Sequence, residues 1–478
     1  MTERLTLEKI AHQAMLEKGF VPDFPPPLLH ELESIKAPAP PHEPIRDMRR
    51  LLWVSIDNDD SKDLDQLTYA EHDRIYIAVA DVDAIVKKGS VIDHRAAHNT
   101  TSVYTPTKVF PMLPPKLSTN LTSLNPDTDR CAIVVEVKVD QSGHFELSDI
   151  YHALVHNHAQ LSYTCVGALL EHTICKNPMP KILGLKEQLI LQDRFAQKIQ
   201  EYRNKQGALE FGVIQLHPVI IDGIAVDLEE IGRNRAHKLI ENFMIAANVA
   251  STRYLKDRGL PTLKRVVKTP KRWDRIVALA NSLGGDLPSQ PDPKALRHFL
   301  LEQQQSAPLQ FPDLSLAMIK LLGRGEYVLG IPGKKSPGHF DLAERDYTHA
   351  TAPNRRFPDL IMQRLLKSSL FDLKPAYTQK ELAALAAHCT QKEDDATKVE
   401  RLLLKCAAAM VLRKDVGKVF TAMVTGASPK GTWVRLEDPP IEGKLTKGFK
   451  GLDVGDYLKV KLIHVDVHNG HIDFANES

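Results

Sequence analysis

Residues Ile56 to Gln66 read IDNDDSKDLDQ, which puts five aspartates, Asp57, Asp59, Asp60, Asp63 and Asp65, into nine positions. Carboxylates packed that closely repel one another, so the stretch is favourable only as a solvated acidic loop or around a cation. Apolar Val54, Ile56, Leu64 and Leu67 flank the acids and should pin the loop to a core on both sides, which favours a built site over a free surface loop. An EF-hand-like calcium loop could place Asp57, Asp59 and Ser61 at its first, third and fifth positions. Its sixth would then be Lys62 where Gly is required, and its twelfth Thr68 where Glu is required. A magnesium site for phosphoryl chemistry asks for less, because carboxylate oxygens, several waters and substrate phosphate oxygens complete it.

Outward from this loop, the 478 residues are 43% hydrophobic and 26% charged, with 25 Gly and 31 Pro. That composition is globular and leaves room for about three structural units. Lys and Arg (62) barely outnumber Asp and Glu (60), so a polyanion must find a local basic surface here. The run from Arg253 to Arg275 is one candidate, although such a run is often just a solvated face. Five cysteines, Cys131, Cys165, Cys175, Cys389 and Cys406, are scattered without a CxxC pair, so neither a disulfide framework nor a cysteine-rich zinc site is expected. The N-terminus MTERLTLEKI is too charged for a secretory signal, and no window approaches eighteen uninterrupted apolar residues. The expectation is a soluble, cytoplasmic protein with no membrane partner.

The hydrophobic periodicity predicts three regions in a multidomain α+β chain. Residues 1–45 form a small helical unit, built from the stripe Leu5, Leu7, Ile10, Ala11, Ala14 and Met15 and a second pattern at Leu28, Leu29, Leu32 and Ile35. It ends in the proline-rich linker Ala37 to Pro44. Residues 46–413 form a large mixed α/β domain, closed by connecting helices with Val399, Leu402, Leu403, Cys406 and Met410 at helical spacing. Residues 414–478 change to five short period-two runs punctuated by glycine, which suits a small five-stranded β-barrel. The order of features there resembles the OB-fold RNA-binding barrel of the ribosomal S-one type.

The acidic loop resembles the catalytic signature of the RNB-domain exoribonucleases, the ribonuclease II and ribonuclease R family. In that signature an Asp, then five residues, then Asp-x-Asp-Asp surround a metal. Asp57, Asp63 and Asp65 fall in register, and the fourth acid falls on Gln66. Further stretches follow in the family's order: IAVADV at Ile77 to Val82, Tyr104 with Pro106 and the run Phe110 to Pro114, RNKQGALEF at Arg203 to Phe211, and Glu241 to Leu255, with Asn242 where the family continues with a second Glu. His339-Phe340 and Tyr347 to Arg364 resemble the motif written His-Phe-Thr-Ser-Pro-Ile-Arg-Arg-Tyr. Ala350, Ala352, Asn354 and Phe357 depart from it, while Thr351, Pro353, Arg355, Arg356 and Asp359 remain.

The resemblance implies a hydrolytic 3'-to-5' exoribonuclease that needs Mg2+, with Mn2+ as a substitute. It would degrade single-stranded RNA processively to nucleoside 5'-monophosphates and a short end product, as a monomer. It assigns Asp57, Asp63 and Asp65, with Gln66, to the metal, and catalysis to these three acids and Arg355. It assigns RNA contacts to Tyr104, Arg356, Tyr163 and Glu241, with Tyr104 stacking on terminal bases. His339 and His349 read as structural. Two rivals remain open: an RNA-binding or RNA-protecting protein whose centre is attenuated at Gln66, and an S-one-type translation factor using the large domain as scaffold. The family usually carries two cold-shock barrels before its catalytic domain; 45 residues cannot hold even one, so the N-terminal unit is expected to be helical and helix-turn-helix-like.

Overall fold

A computed structural model describes residues 6–41, 44–175, 179–212, 215–428 and 431–477. Leu5 of the first helical stripe and His42 and Glu43 of the linker lie outside the described residues. The large domain is built on a mixed sheet of β1 (Arg46–Asp47), β2 (Trp53–Asp57), β3 (Gln66–Glu71), β4 (Arg74–Ala80), β7 (Asp129–Val139) and β8 (Phe145–Ser162), ordered β1-β8-β2-β3-β4-β7. β8 is long enough to pair antiparallel with β7 through His156 and then parallel with β2 from Asn157 to Ser162, so the sheet curls back on itself. Trp53, Val54, Ser55 and Ile56 are all buried, the mark of a strand covered on both faces. A separate two-strand hairpin, β5 (Val103–Tyr104) and β6 (Val109–Phe110), stands beside the sheet.

Helices cover this core: α3 (Val91–Asn99), α4 (Tyr163–Leu170), α5 (Leu185–Gln206), α6 (Arg235–Asp257) and α10 (Phe357–Leu370). α6 starts at a capping box in which Asn234 accepts from the His237 N–H and His237 accepts from the Asn234 N–H. Its periodic face, including Leu239, Phe243, Ala246 and Ala250, is fully buried. Two ribbons, β9 (Gln215–Ile221) with β10 (Ile224–Ile231) and β11 (Thr262–Val267) with β12 (Gly325–Gly330), flank it. Helices α7 (Trp273–Ser282), α8 (Pro293–Ser306) and α9 (Phe311–Leu322) close a side lobe around Trp273, Phe299 and Met318.

The 34-residue α11 (Gln379–Leu412) leads into a closed barrel of β13 (Val419–Ser428), β14 (Gly431–Leu436), β15 (Glu442–Lys447), β16 (Tyr457–Asp466) and β17 (His471–Asn476), ordered β13-β14-β15-β17-β16. These are the five runs read from the sequence, each extended by a few residues. Phe474 and Val434 fill the barrel interior.

Two expectations need correction. The N-terminal helices α1 (Leu7–Glu17) and α2 (Pro26–Ser34) do not make a helix-turn-helix: α1 lies on α11 and α2 on α3, each buried against the large domain. The cysteines are not all free either. Cys165 and Cys175 form a disulfide, because the chain doubles back after α4 and brings their Cα atoms to 5.3 Å; a ten-residue separation gives no sequence signal of this. Cys131, Cys389 and Cys406 are free and buried. No helix among the described residues is long and apolar enough to cross a membrane.

Candidate active site

Asp57 ends β2 and Gln66 opens β3, so the acidic loop is the turn between two neighbouring strands. It is held from both sides. Leu64 is fully buried, its N–H donates to Ser123 Oγ at 2.9 Å, and its carbonyl accepts from the Leu124 N–H at 2.9 Å. Asp65 is 2% exposed, and its carbonyl accepts from the Ala80 N–H at the end of β4.

Opposite the loop, the chain from Ala350 to Arg356 brings the arginine motif in. The Asn354 N–H donates to Asp65 Oδ1 at 2.9 Å, and Arg355 Nε lies 3.3 Å from Asp65 Oδ2. Arg355 is thus the guanidinium that faces the acids. Burial opposes its charge, but Asp65, Tyr104, Asp63 and Asp57 more than restore it. Arg356 is committed elsewhere: its Nη2 pairs with buried Asp359 at 2.7 Å. That pairing suits a side chain that anchors the start of α10, and it leaves Nε without a hydrogen-bond partner.

Tyr104 projects from the β5–β6 hairpin. The residue is 41% exposed, while its hydroxyl points inward, donating to Asp63 Oδ2 at 3.4 Å. Burial there pushes the phenol up to about 12. Tyr163 is placed by strand register: Asp57 pairs with Ser162, and Tyr163 follows directly at the start of α4. Its ring stacks on His237 at 4.0 Å, and one turn along α6 Glu241 pairs with Arg233 at 2.6 Å. Tyr163, His237 and Glu241 therefore share one wall next to Asp57. Asn242, the departure from the family's second Glu, accepts from buried Arg203 at 2.8 Å.

Several groups here were invisible in the sequence: His237, Arg233, Glu400, which accepts from the Tyr104 N–H at 3.0 Å, and the half-buried pair Arg265–Glu393 at 2.6 Å. The basic run from Arg253 to Arg275 spends much of its charge internally, on Asp346 through Lys256 and Lys264, on Glu393, and on Glu326 through Lys268. His339 and His349 are both partly buried, and His349 Nδ1 meets the Tyr327 hydroxyl at 2.7 Å.

The donor set fits a loosely caged cation. Asp57 Oδ2 is buried without a hydrogen-bond partner, and Asp65 Oδ2 makes no hydrogen bond beside Arg355. Among the described residues no group of three or more His, Cys, Asp or Glu side chains is arranged to hold a metal ion as the side chains stand. The remaining places are left to water and substrate oxygens, as a magnesium ion prefers. Gln66 donates its amide to the Thr351 carbonyl, which leaves only its Oε1 for a cation.

Burial raises Asp57 and Asp65 from 3.8 to about 7 each, with Arg355 opposing the rise and Asp63 adding to it. A carboxyl raised in the folded state costs stability progressively as pH climbs from its unfolded value through its folded one. A bound cation relieves that cost. Mg2+ should therefore raise the melting temperature more at about pH 8 than at about pH 6. An equal thermal shift at both would put these carboxyls outside the cation's reach.

Gln66→Asp removes the donor to Thr351 and adds a fourth acid to a buried cluster. The metal-free variant should lose about 1–3 kcal/mol of stability and regain more than wild type does on titration with Mg2+. An unchanged Mg2+ midpoint in a thermal-shift titration would show that position 66 does not meet the cation.

A strand-end carboxylate cluster faced by one guanidinium, in a curled mixed sheet joined by a long helix to an OB barrel, defines a two-part architecture: a carboxylate-site domain with an appended S1 barrel. The chain belongs to the RNB-domain family. Residues 45–372 match the RNB domain, and residues 418–477 match the RNase II-type exonuclease C-terminal S1 domain. The chain is 31% identical over 424 residues to Ribonuclease R of Escherichia coli, covering 83% of this chain and 50% of that protein. It is 28% identical over 474 residues to Ribonuclease R of Vibrio parahaemolyticus, covering 90% and 55%. It therefore spans about half the length of these relatives. Mycoplasma genitalium RNase R, solved with ribose-methylated single-stranded RNA, superposes with a TM-score of 0.88 over 98% of this chain and 78% of that one, at 23% identity.

Proposed function

We infer that this chain is a Mg2+-dependent hydrolytic exoribonuclease that shortens single-stranded RNA from the 3' end, processively, to nucleoside 5'-monophosphates and a short end product. One observation carries the reading. Arg355 Nε stands 3.3 Å from Asp65 in a cluster that leaves a carboxylate oxygen unpartnered, with the Tyr104 hydroxyl bonded to Asp63 of the same loop. The family membership and the relatives named Ribonuclease R support it, as does an RNase R of the same fold solved with single-stranded RNA.

In this reading Tyr104 stacks on a terminal base, a contact worth about 1–3 kcal/mol that tolerates any sequence. Tyr163 and Glu241 line the wall where a ribose 2'-hydroxyl would distinguish RNA from DNA. Water adds to phosphorus and the bond to the 3'-oxygen of the preceding nucleotide breaks. Arg355 meets the charge that builds on the phosphoryl oxygens with fixed, charge-assisted hydrogen bonds. A magnesium ion held by Asp57, Asp63 and Asp65 would supply a polarised water and neutralise phosphate charge. A single chain suffices for every part of this site.

The test is a 5'-labelled single-stranded RNA incubated with protein and Mg2+, with products resolved by size. A ladder that shortens from the 3' end to a short limit product, with release of nucleoside 5'-monophosphates, is the expected result. Tight binding with intact RNA at saturating Mg2+ would favour the RNA-protecting reading that Gln66 raises.

A further inference from the structure

Tyr104 does not hold its own place. β5 and β6 have two residues each and pair only with one another, and a hairpin that small has no independent stability. Ser102, just before β5, ties its base to the arginine motif by donating its N–H to the Arg355 carbonyl at 2.9 Å; the rest of its position comes from what packs on it. Val103 and Phe110, 0% and 2% exposed, are buried in one cluster with Ile10 and Met15 of α1 and Val399 and Leu403 of α11. The hairpin is therefore clamped between the N-terminal helix and the long connecting helix.

Polar ties reinforce both sides. From α11, Glu400 Oε1 accepts the Tyr104 N–H at 3.0 Å. From α1, Glu8 pairs with Lys108 in the hairpin turn at 3.2 Å. The chain leaving α1 is fixed as well: Lys392 of α11 donates to the Gly19 carbonyl at 2.5 Å. Buried Arg95 donates to the Val21 carbonyl at 2.8 Å and to the carbonyls of Pro111 and Met112 at 3.1 and 2.7 Å. One guanidinium thus joins the end of the N-terminal unit to the chain leaving the hairpin.

The geometry points to a positioning role for the N-terminal unit: α1 from one side and Glu400 from the other set the depth of the Tyr104 ring over the acidic loop, and thereby how short an RNA the site still holds. For its product this rests on the exoribonuclease reading; for its geometry it does not.

Two variants probe the two sides in the full chain. Ile10→Ala opens space under the hairpin from α1, and Glu400→Ala removes the acceptor of the Tyr104 N–H, while Glu400→Gln keeps one. Leu314→Ala, in the side lobe around α9, serves as a core truncation far from the hairpin. Affinity for a short and a long single-stranded RNA is measured by fluorescence anisotropy without Mg2+, and limit-product length with it. Ile10→Ala and Glu400→Ala should bind the short RNA roughly tenfold more weakly, about the loss of one stacked base, with long-RNA affinity nearly kept. They should leave longer limit products. Glu400→Gln should resemble wild type, and Leu314→Ala should lose stability with neither change. In a Tyr104→Ala background the Ile10→Ala and Glu400→Ala effects should vanish, because both act through that ring.

Wild-type short-RNA affinity in Ile10→Ala and Glu400→Ala, or effects that persist undiminished in the Tyr104→Ala background, would overturn the positioning role. If wild type releases no mononucleotides, the exoribonuclease reading fails, and the anisotropy ratios still decide the role of α1 and Glu400.

Discussion

Asp65→Asn is expected to abolish RNA hydrolysis, by on the order of 10^3-fold or more, while RNA binding stays near wild type. The substitution keeps volume and shape, and an amide oxygen can still accept the Asn354 N–H that Asp65 Oδ1 accepts at 2.9 Å. What it removes is one negative charge at the position best shielded from water. Asp65 is 2% exposed and burial already raises its carboxyl to about 7, so the metal-free variant should melt no lower than wild type at neutral pH. Its melting temperature should respond less to Mg2+. The Tyr104 ring and the wall of Tyr163 and Glu241 are untouched, which is why affinity is retained. Turnover within a few-fold of wild type at saturating Mg2+ would remove the acidic loop from the chemistry.

Arg355→Lys is expected to lower turnover by about 10^2-fold with little change in Mg2+ affinity. Lysine keeps the positive charge that balances Asp57, Asp63 and Asp65, so the variant should fold and take up the cation. It loses the planar fork whose Nε stands 3.3 Å from Asp65 Oδ2 and whose remaining N–H groups could bind two phosphoryl oxygens at once. Arg355→Ala should be worse in a separable way, with a lower metal-free melting temperature because three acids lose their counter-charge, recovered in part by Mg2+. Equal turnover in Arg355→Lys and wild type would show that charge alone, without the fork, is sufficient.

The parts of this molecule that were legible in its sequence are those that local pattern determines. The acidic loop is held in place by its own neighbours Ile56, Leu64 and Leu67. The barrel strands alternate with period two between glycines, and the C-terminal half of α11 carries its own apolar stripe at Val399, Leu402, Leu403, Cys406 and Met410. What escaped is whatever depends on two distant stretches meeting. Glu400 and Tyr104 are 296 residues apart, and nothing about a lone Glu on a helix says that it receives a hairpin N–H. Arg356 sits three residues before Asp359, a spacing that allows an ion pair, but only the fold shows the pair formed through Nη2 with Nε left without a hydrogen-bond partner. The basic run looked like a binding surface because Asp346, Glu326 and Glu393, which neutralise it, lie far along the chain. The N-terminal helices read as a detached module because the linker composition is visible, while the buried bonds of Arg95 and Lys392 are not.

α11 has 34 residues and contains neither Gly nor Pro, so it has no ready hinge and runs about 50 Å. Along that length it meets five separate parts in turn: Thr390 accepts from the Tyr327 N–H, Lys392 holds the N-terminal turn, Glu393 holds Arg265, Glu400 holds the tyrosine hairpin, and Ala408, Ala409 and Leu412 enter the barrel core. Mechanically it is a lever. A tilt of about 1° over that arm moves its far end by about 1 Å, comparable to the misplacement that costs a reacting geometry about 10^2-fold. The barrel and the tyrosine hairpin consequently share one stiffness, and whatever pulls sideways on the barrel loads the hairpin that carries Tyr104.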